Sequence, residues 1–90
     1  MQLEALPGGD WVAKGLHDLA AALETEAALA VSIAAPRLRR LGIDVPPPLA
    51  DPEHRLYALL SAADPDSAHS RYNAIVRRLV SFARAYGCAA

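Results

Sequence analysis

From Ala68 to Tyr86 the apolar residues Ala68, Tyr72, Ile75, Val76, Leu79, Phe82, Ala83 and Tyr86 return every three or four positions without a miss. At about 100° per residue that spacing puts all of them on one stripe of a helix. Arg71, Arg77, Arg78 and Arg84 lie off the centre of the stripe. The segment therefore offers an apolar face to a core and a basic face to solvent. Such a helix needs other helices to cover it, and the rest of the chain supplies them.

Leu6-Pro7-Gly8-Gly9-Asp10 reads as a loop that ends with Asp10 as the N-cap of a first helix. That helix is expected to turn Trp11, Val12, Leu16, Leu19, Ala20 and Leu23 inward, and Lys14, Asp18 and Thr25 outward. Lys14 and Asp18 form an i,i+4 pair worth a few tenths of a kcal/mol. Gly15 costs about 1 kcal/mol relative to Ala inside a helix, which points to a close packing contact there. The apolar phase is lost around Glu24-Thr25-Glu26, so a break is expected, with Thr25 capping a second helix. Ala27 to Ala35 contains one polar residue, Ser32, and reads as a helix buried on most sides. Pro36 lacks an amide donor and crowds the carbonyl of Ser32, which predicts a kink or a restart. Arg37, Arg39 and Arg40 then stand where a helix C-terminus favours cations, and Gly42 suits the C′ position.

Residues 43–50, with Pro46-Pro47-Pro48, read as an extended polyproline-II connector between two helical halves. Asp51-Pro52-Glu53 announces a helix with an Asp N-cap and Pro at N1. Its buried stripe is Leu56, Leu59, Leu60 and Ala63, with Tyr57 at the edge. Asp64-Pro65-Asp66 repeats the signal and starts the last helix, which Gly87 can end. The chain thus predicts one domain over 1–90, an all-α antiparallel bundle of four helices, five if Pro36 breaks the second, with no sheet.

A chain of 90 residues buries only about 60% of its unfolded surface. Its 53% apolar and 21% charged content excludes a disordered chain. Alanine buries little area per residue, so a second copy is expected to complete the core. The homodimer, or complex with another protein, would form through Ala27, Ala30, Val31, Ala34 and the bend at Pro36. Net charge is −1, which gives no global attraction to nucleic acid or membrane. The charge is uneven, however. Lys14 faces Glu4, Asp10, Asp18, Glu24 and Glu26 in the first 35 residues, whereas residues 67–90 hold four arginines and no acid. An acidic first helix and a basic last helix are expected to attract each other as neighbours, within one molecule or across a dimer. Cys88 is alone and cannot form an internal disulfide. Nothing near Met1 resembles a secretory leader, and no stretch approaches the ~20 apolar residues of a membrane span. A cytoplasmic protein away from membranes is expected.

The chemistry-bearing residues are sparse. His17-Asp18 resembles the central doublet of HD-type metal-dependent phosphohydrolases, and Glu24 lies on the same flank of the first helix. That pattern needs further His and Asp ligands, and neither His-Glu-x-x-His nor Cys-x-x-Cys spacing accompanies it. Cys88 sits near the chain end, the serines lack an elbow motif, and Gly8-Gly9 is an isolated pair followed by an acid. No catalytic residue, metal ligand or cofactor is assigned. Trp11 and the tyrosines read as packing residues rather than a ligand pocket. The sequence is best read as a small non-catalytic helical module for protein–protein interaction or oligomerisation. The first alternative is a nucleic-acid-binding or regulatory protein using Arg37, Arg39, Arg40, Arg77, Arg78 and Arg84. Asp64 and Asp66 at the start of its recognition helix count against that. The second is a metal-dependent activity around His17 and Glu24.

Overall fold

Glycine, alanine and proline chemistry sets the element boundaries. The computed structural model describes residues 3–89, and the Glu4 carboxylate and Ala89 side chain lie outside what is described. A short 3-10 turn, Leu3–Ala5, precedes α1 (Gly9–Ala20), α2 (Glu26–Arg40), α3 (Pro52–Ala63) and α4 (Ala68–Ala89). Among the described residues there is no strand, and the fold is an all-α bundle of four helices.

The start of α1 differs from expectation. Gly8, at φ 74°, takes the N-cap position, and Asp10 falls inside the first turn, where its carboxylate accepts from the Trp11 amide at 2.9 Å. The positive φ is what only Gly adopts freely, so Gly8 starts the helix two residues before the acid. At the far end α1 stops at Ala20. Ala22 N–H donates to the Leu19 carbonyl and Leu23 N–H to the Asp18 carbonyl, the paired bonds of a Schellman motif. Ala22 occupies the left-handed position, at φ 58°, that such a motif normally gives to Gly. This early stop carries Leu23 out of the helix and leaves it 51% exposed, and Ala20 is exposed too, so neither joins the core.

Thr25 caps α2 as expected, its hydroxyl accepting from the Ala28 amide at 3.2 Å. The helix runs unbroken through Pro36 to Arg40, so no fifth helix forms. It closes with a second Schellman motif, Gly42 N–H to Arg39 and Ile43 N–H to Leu38, with Gly42 at φ 89° and Leu38 and Ile43 both buried. Residues 43–49 form neither helix nor strand and are laid against α2. Val45 is buried, the Leu49 amide donates to Ser32 Oγ at 3.0 Å, and the Arg39 guanidinium donates to the carbonyls of Val45 and Pro46.

Asp51 precedes Pro52 as read from the sequence, but its backbone is left-handed (φ 50°) and its side chain makes no cap bond. Asp64 does organise the next turn: its carboxylate accepts from the Asp66 amide and the Ser67 hydroxyl, and α4 begins at Ala68. Gly87 does not end α4, which continues to Ala89.

Contacts fix the helix directions. Asp18 meets Thr25 while Gly15 lies against Ala27 and Val31, so α1 and α2 run antiparallel. Glu26 meets Arg71, Ile33 and Ala34 share one groove with Val76, and Gly87 lies near Leu41, so α2 and α4 run parallel. The connector carries the chain back past Ser32, so α3 also starts near the beginning of α2, where Arg55 meets Glu24. α2 is the centre of the bundle and packs against each of the other three helices. Val12, Leu29, Val31, Leu38, Leu56, Leu60 and Phe82 are its largest fully buried side chains. The α3 stripe is narrower than predicted: Leu56 and Leu60 are buried, Leu59 is 40% exposed and Ala63 is exposed.

Candidate interaction surface

α2 is two surfaces on one helix. From Ala27 to Ser32 every residue is buried, while Pro36, Arg37, Arg39 and Arg40 are exposed. The close packing of the first half traces to Gly15. A Cβ there would come within 2.5 Å of both the Ala27 carbonyl oxygen and Val31 Cγ2, so only Gly allows α1 to lie this near α2. Of the residues expected to pair with another chain, Ala27, Ala30 and Val31 are therefore covered by the chain's own helices. Ala34 is half-buried and Pro36 exposed.

Asp18, expected to point outward, is instead 6% exposed where α1 meets the α2 cap. Its carboxylate accepts from Lys14 Nζ at 2.6 Å and from the Thr25 hydroxyl at 2.8 Å. Those hydrogen bonds, Lys14 first, hold its pKa below the usual carboxylate value against the opposing effect of burial. The remaining ion pairs belong to the same end of the molecule: Arg55 with Glu24 at 3.2 Å and Arg71 with Glu26 at 3.3 Å. The acids that meet arginines thus stand at the α1–α2 junction, not on the first helix as its charge balance suggested. At such exposure each pair contributes under about 1 kcal/mol.

The arginines toward the other end behave differently. Among the described residues, Arg37, Arg40, Arg77 and Arg84 have no carboxylate within ion-pair distance. Arg39 is engaged with the connector carbonyls, and Arg78 stacks over the Trp11 ring, its guanidinium carbon 5.2 Å from the centroid. Six arginines grouped by sequence thus divide by structure into two with contacts and four without.

Between the C-terminal halves of α2 and α4 runs a groove of about 180 Å³. Its walls are Ile33, Ala34, Leu38, Val76, Leu79, Val80 and Ala83, and Arg37 is its one charged lining residue. The three-and-four spacing puts Val76, Leu79 and Ala83 in the core stripe, but Val76 and Val80 are only half-buried. The signal was there: Val80 lies four residues beyond Val76, which widens the apolar stripe of α4 past what α2 covers. Two further hollows are more polar. One, of about 280 Å³, lies between Trp11, Glu26, Ile75 and the stems of Arg71 and Arg78. Trp11 is half-buried there and forms one wall of the hollow. The other, of about 480 Å³, is bordered by Glu24, Leu29, Arg55 and Leu59.

His17, His54 and His69 are all exposed, on three different helices. Among the described residues no three His, Cys, Asp or Glu side chains converge as a metal-binding group. The Glu24 carboxylate is taken up by Arg55. Tyr72 packs against Tyr57 with ring centroids 5.9 Å apart, and burial, aided by the nearby Glu53 charge, raises its pKa. Cys88 is free and exposed. Among the described residues no helix is long and apolar enough to cross a membrane. The chain matches no family model, no curated protein and no solved structure.

Proposed function

We propose that this chain is a small non-catalytic helical module of the cytoplasm whose work is to bind another protein. The observation that supports this most is the α2–α4 groove, an apolar channel with one charged lining residue, whereas the exposed Leu59 borders a hollow that the Arg55–Glu24 ion pair edges. A core of this size gains about 25 cal/mol for each Å2 of apolar surface removed from water, so an uncovered channel favours a partner that fills it. The reading shifts the contact surface from Ala27, Ala30 and Val31 to Ile33, Ala34, Val76 and Val80, since the first three are already buried.

Site-specific cross-linking in the cells that make the protein tests the proposal. A photoreactive residue at Val76 is expected to give discrete adducts that disappear on Val80→Glu. The same residue at Ala62, exposed on α3, is expected to give none. Absence of adducts at Val76, or adducts indifferent to Val80→Glu, would contradict the reading. An adduct at twice the chain mass would identify the partner as a second copy.

A further inference from the structure

The groove and the arginines that no described carboxylate pairs are one surface. On α4, successive residues turn by about 100°, which sets Arg77 and Arg84 one step beyond Val76 and Val80 on the side away from the core. On α2, Arg37 lines the groove and Arg40 follows it by three residues, on the same side as Ile33. An apolar channel is therefore edged by arginines on both helices. The described acids that neutralise arginines, Glu24 and Glu26, are spent at the opposite end of α2.

We propose that the groove receives an acidic amphipathic helix of a partner protein, with its apolar stripe against Ile33, Val76 and Val80 and its carboxylates against Arg37, Arg77 and Arg84. This inference rests on the interaction reading above and adds the partner's chemistry. The groove follows Val76 to Ala83, about 10 Å or two helical turns, which suits two or three apolar anchors at i, i+3 or i+4, and i+7. Ala34 and Ala83 are small, so the floor admits bulky side chains from outside. A second copy docked face to face would set these arginines against one another, a like-charge arrangement that disfavours it. Guanidinium groups that no described carboxylate pairs need no described ion pair broken to meet a partner's acids, and they form bidentate bonds with them.

The test uses a fluorescent synthetic helix of about 18 residues with leucines at helical spacing and glutamates on its flanks. Parallel probes replace every glutamate by lysine, scramble the leucines at constant composition, or present a DNA duplex. Anisotropy is expected to show the acidic helix bound in the range of about 10–100 μM, and the lysine and scrambled versions at least about tenfold weaker. Val80→Glu is expected to weaken binding by about tenfold or more, and Arg84→Gln or Arg37→Gln by about threefold each. The arginine variants change exposed side chains, so they remain readable if Val80→Glu impairs folding. Equal binding of the glutamate and lysine helices overturns the charge assignment, and absence of peptide binding overturns the inference as a whole. Either leaves the interaction reading to the cross-linking result, which does not depend on the peptide. Duplex binding that falls with the arginine variants but ignores Val80→Glu overturns it in favour of a nucleic-acid surface. A dimer by light scattering that Val80→Glu dissociates overturns it in favour of a second copy.

Discussion

The two ends of α2 obey different rules. At its start, small residues and Gly15 draw α1 within backbone contact, a hydroxyl caps the helix, and each nearby charge has a partner. Toward its end the same helix carries arginines that no described carboxylate meets and leaves an apolar channel beside α4. Alanine is abundant in both halves of the helix, so composition is not the cause. What differs is whether a neighbouring backbone can come close. Where a Gly faces an Ala the helices meet directly; where α2 faces the valines of α4 the gap stays open.

The same substitution at the two ends is expected to act with opposite sign. Gly15→Ala forces a methyl into the Ala27 carbonyl and Val31, and is expected to lower stability in urea by about 2–3 kcal/mol despite the better helix propensity of Ala. Gly87→Ala meets only Leu41 Cδ2 at an ordinary 3.6 Å and is expected to raise stability by about 0.5 kcal/mol. If both changes destabilise equally, the contrast between a closed and an open end fails.

Ser32 links the closed half to the connector. Its hydroxyl donates to the Ala28 carbonyl at 2.8 Å and accepts from the Leu49 amide. Ser32→Ala strands that amide and is expected to cost about 1–2 kcal/mol, with faster hydrogen exchange at Leu49 as the specific sign. The strained turn after α1 offers a smaller gain. Ala22→Gly relieves a left-handed alanine and is expected to stabilise by about 0.5–1 kcal/mol in thermal melts.

The Asp18 prediction concerns pH. Its pKa is lowered in the folded chain, so the carboxylate's contribution is complete above its unfolded value of about 4 and is lost as pH falls through the lowered native value. Asp18→Asn is therefore expected to flatten the loss of stability between about pH 5 and pH 2, measured by urea midpoints across that range. An unchanged acid profile would show that Lys14 and Thr25 do not hold the carboxylate.

Much of this architecture is legible in the residues. The α4 stripe, the Thr25 cap, the buried run from Ala27 to Ser32, the Gly42 stop and the need for close packing at Gly15 all follow from local spacing and backbone chemistry. The departures have a common origin. Asp10 and Gly87 carry residue types that suit helix ends, but Gly8 and the continuous α4 ladder settled those ends otherwise, while Asp51 takes the N-cap position as read but without a side-chain cap bond. Asp18 read as solvent-facing because its partner Thr25 lies seven residues away, beyond the reach of any one-helix pattern. The groove was the least legible feature. Val80 hints at it, yet the parallel course of α2 and α4, and the distance between them, come only from how all four helices pack.

The most direct test of a closed end and a receptive end is amide chemical-shift mapping during titration with the acidic helix. Shifts are expected to be confined to residues 33–41 and 76–87, with the α1–α2 junction around Gly15 and Thr25 unmoved. Shifts centred on Trp11 or on Leu23 and Leu59, or spread evenly over the bundle, would contradict it.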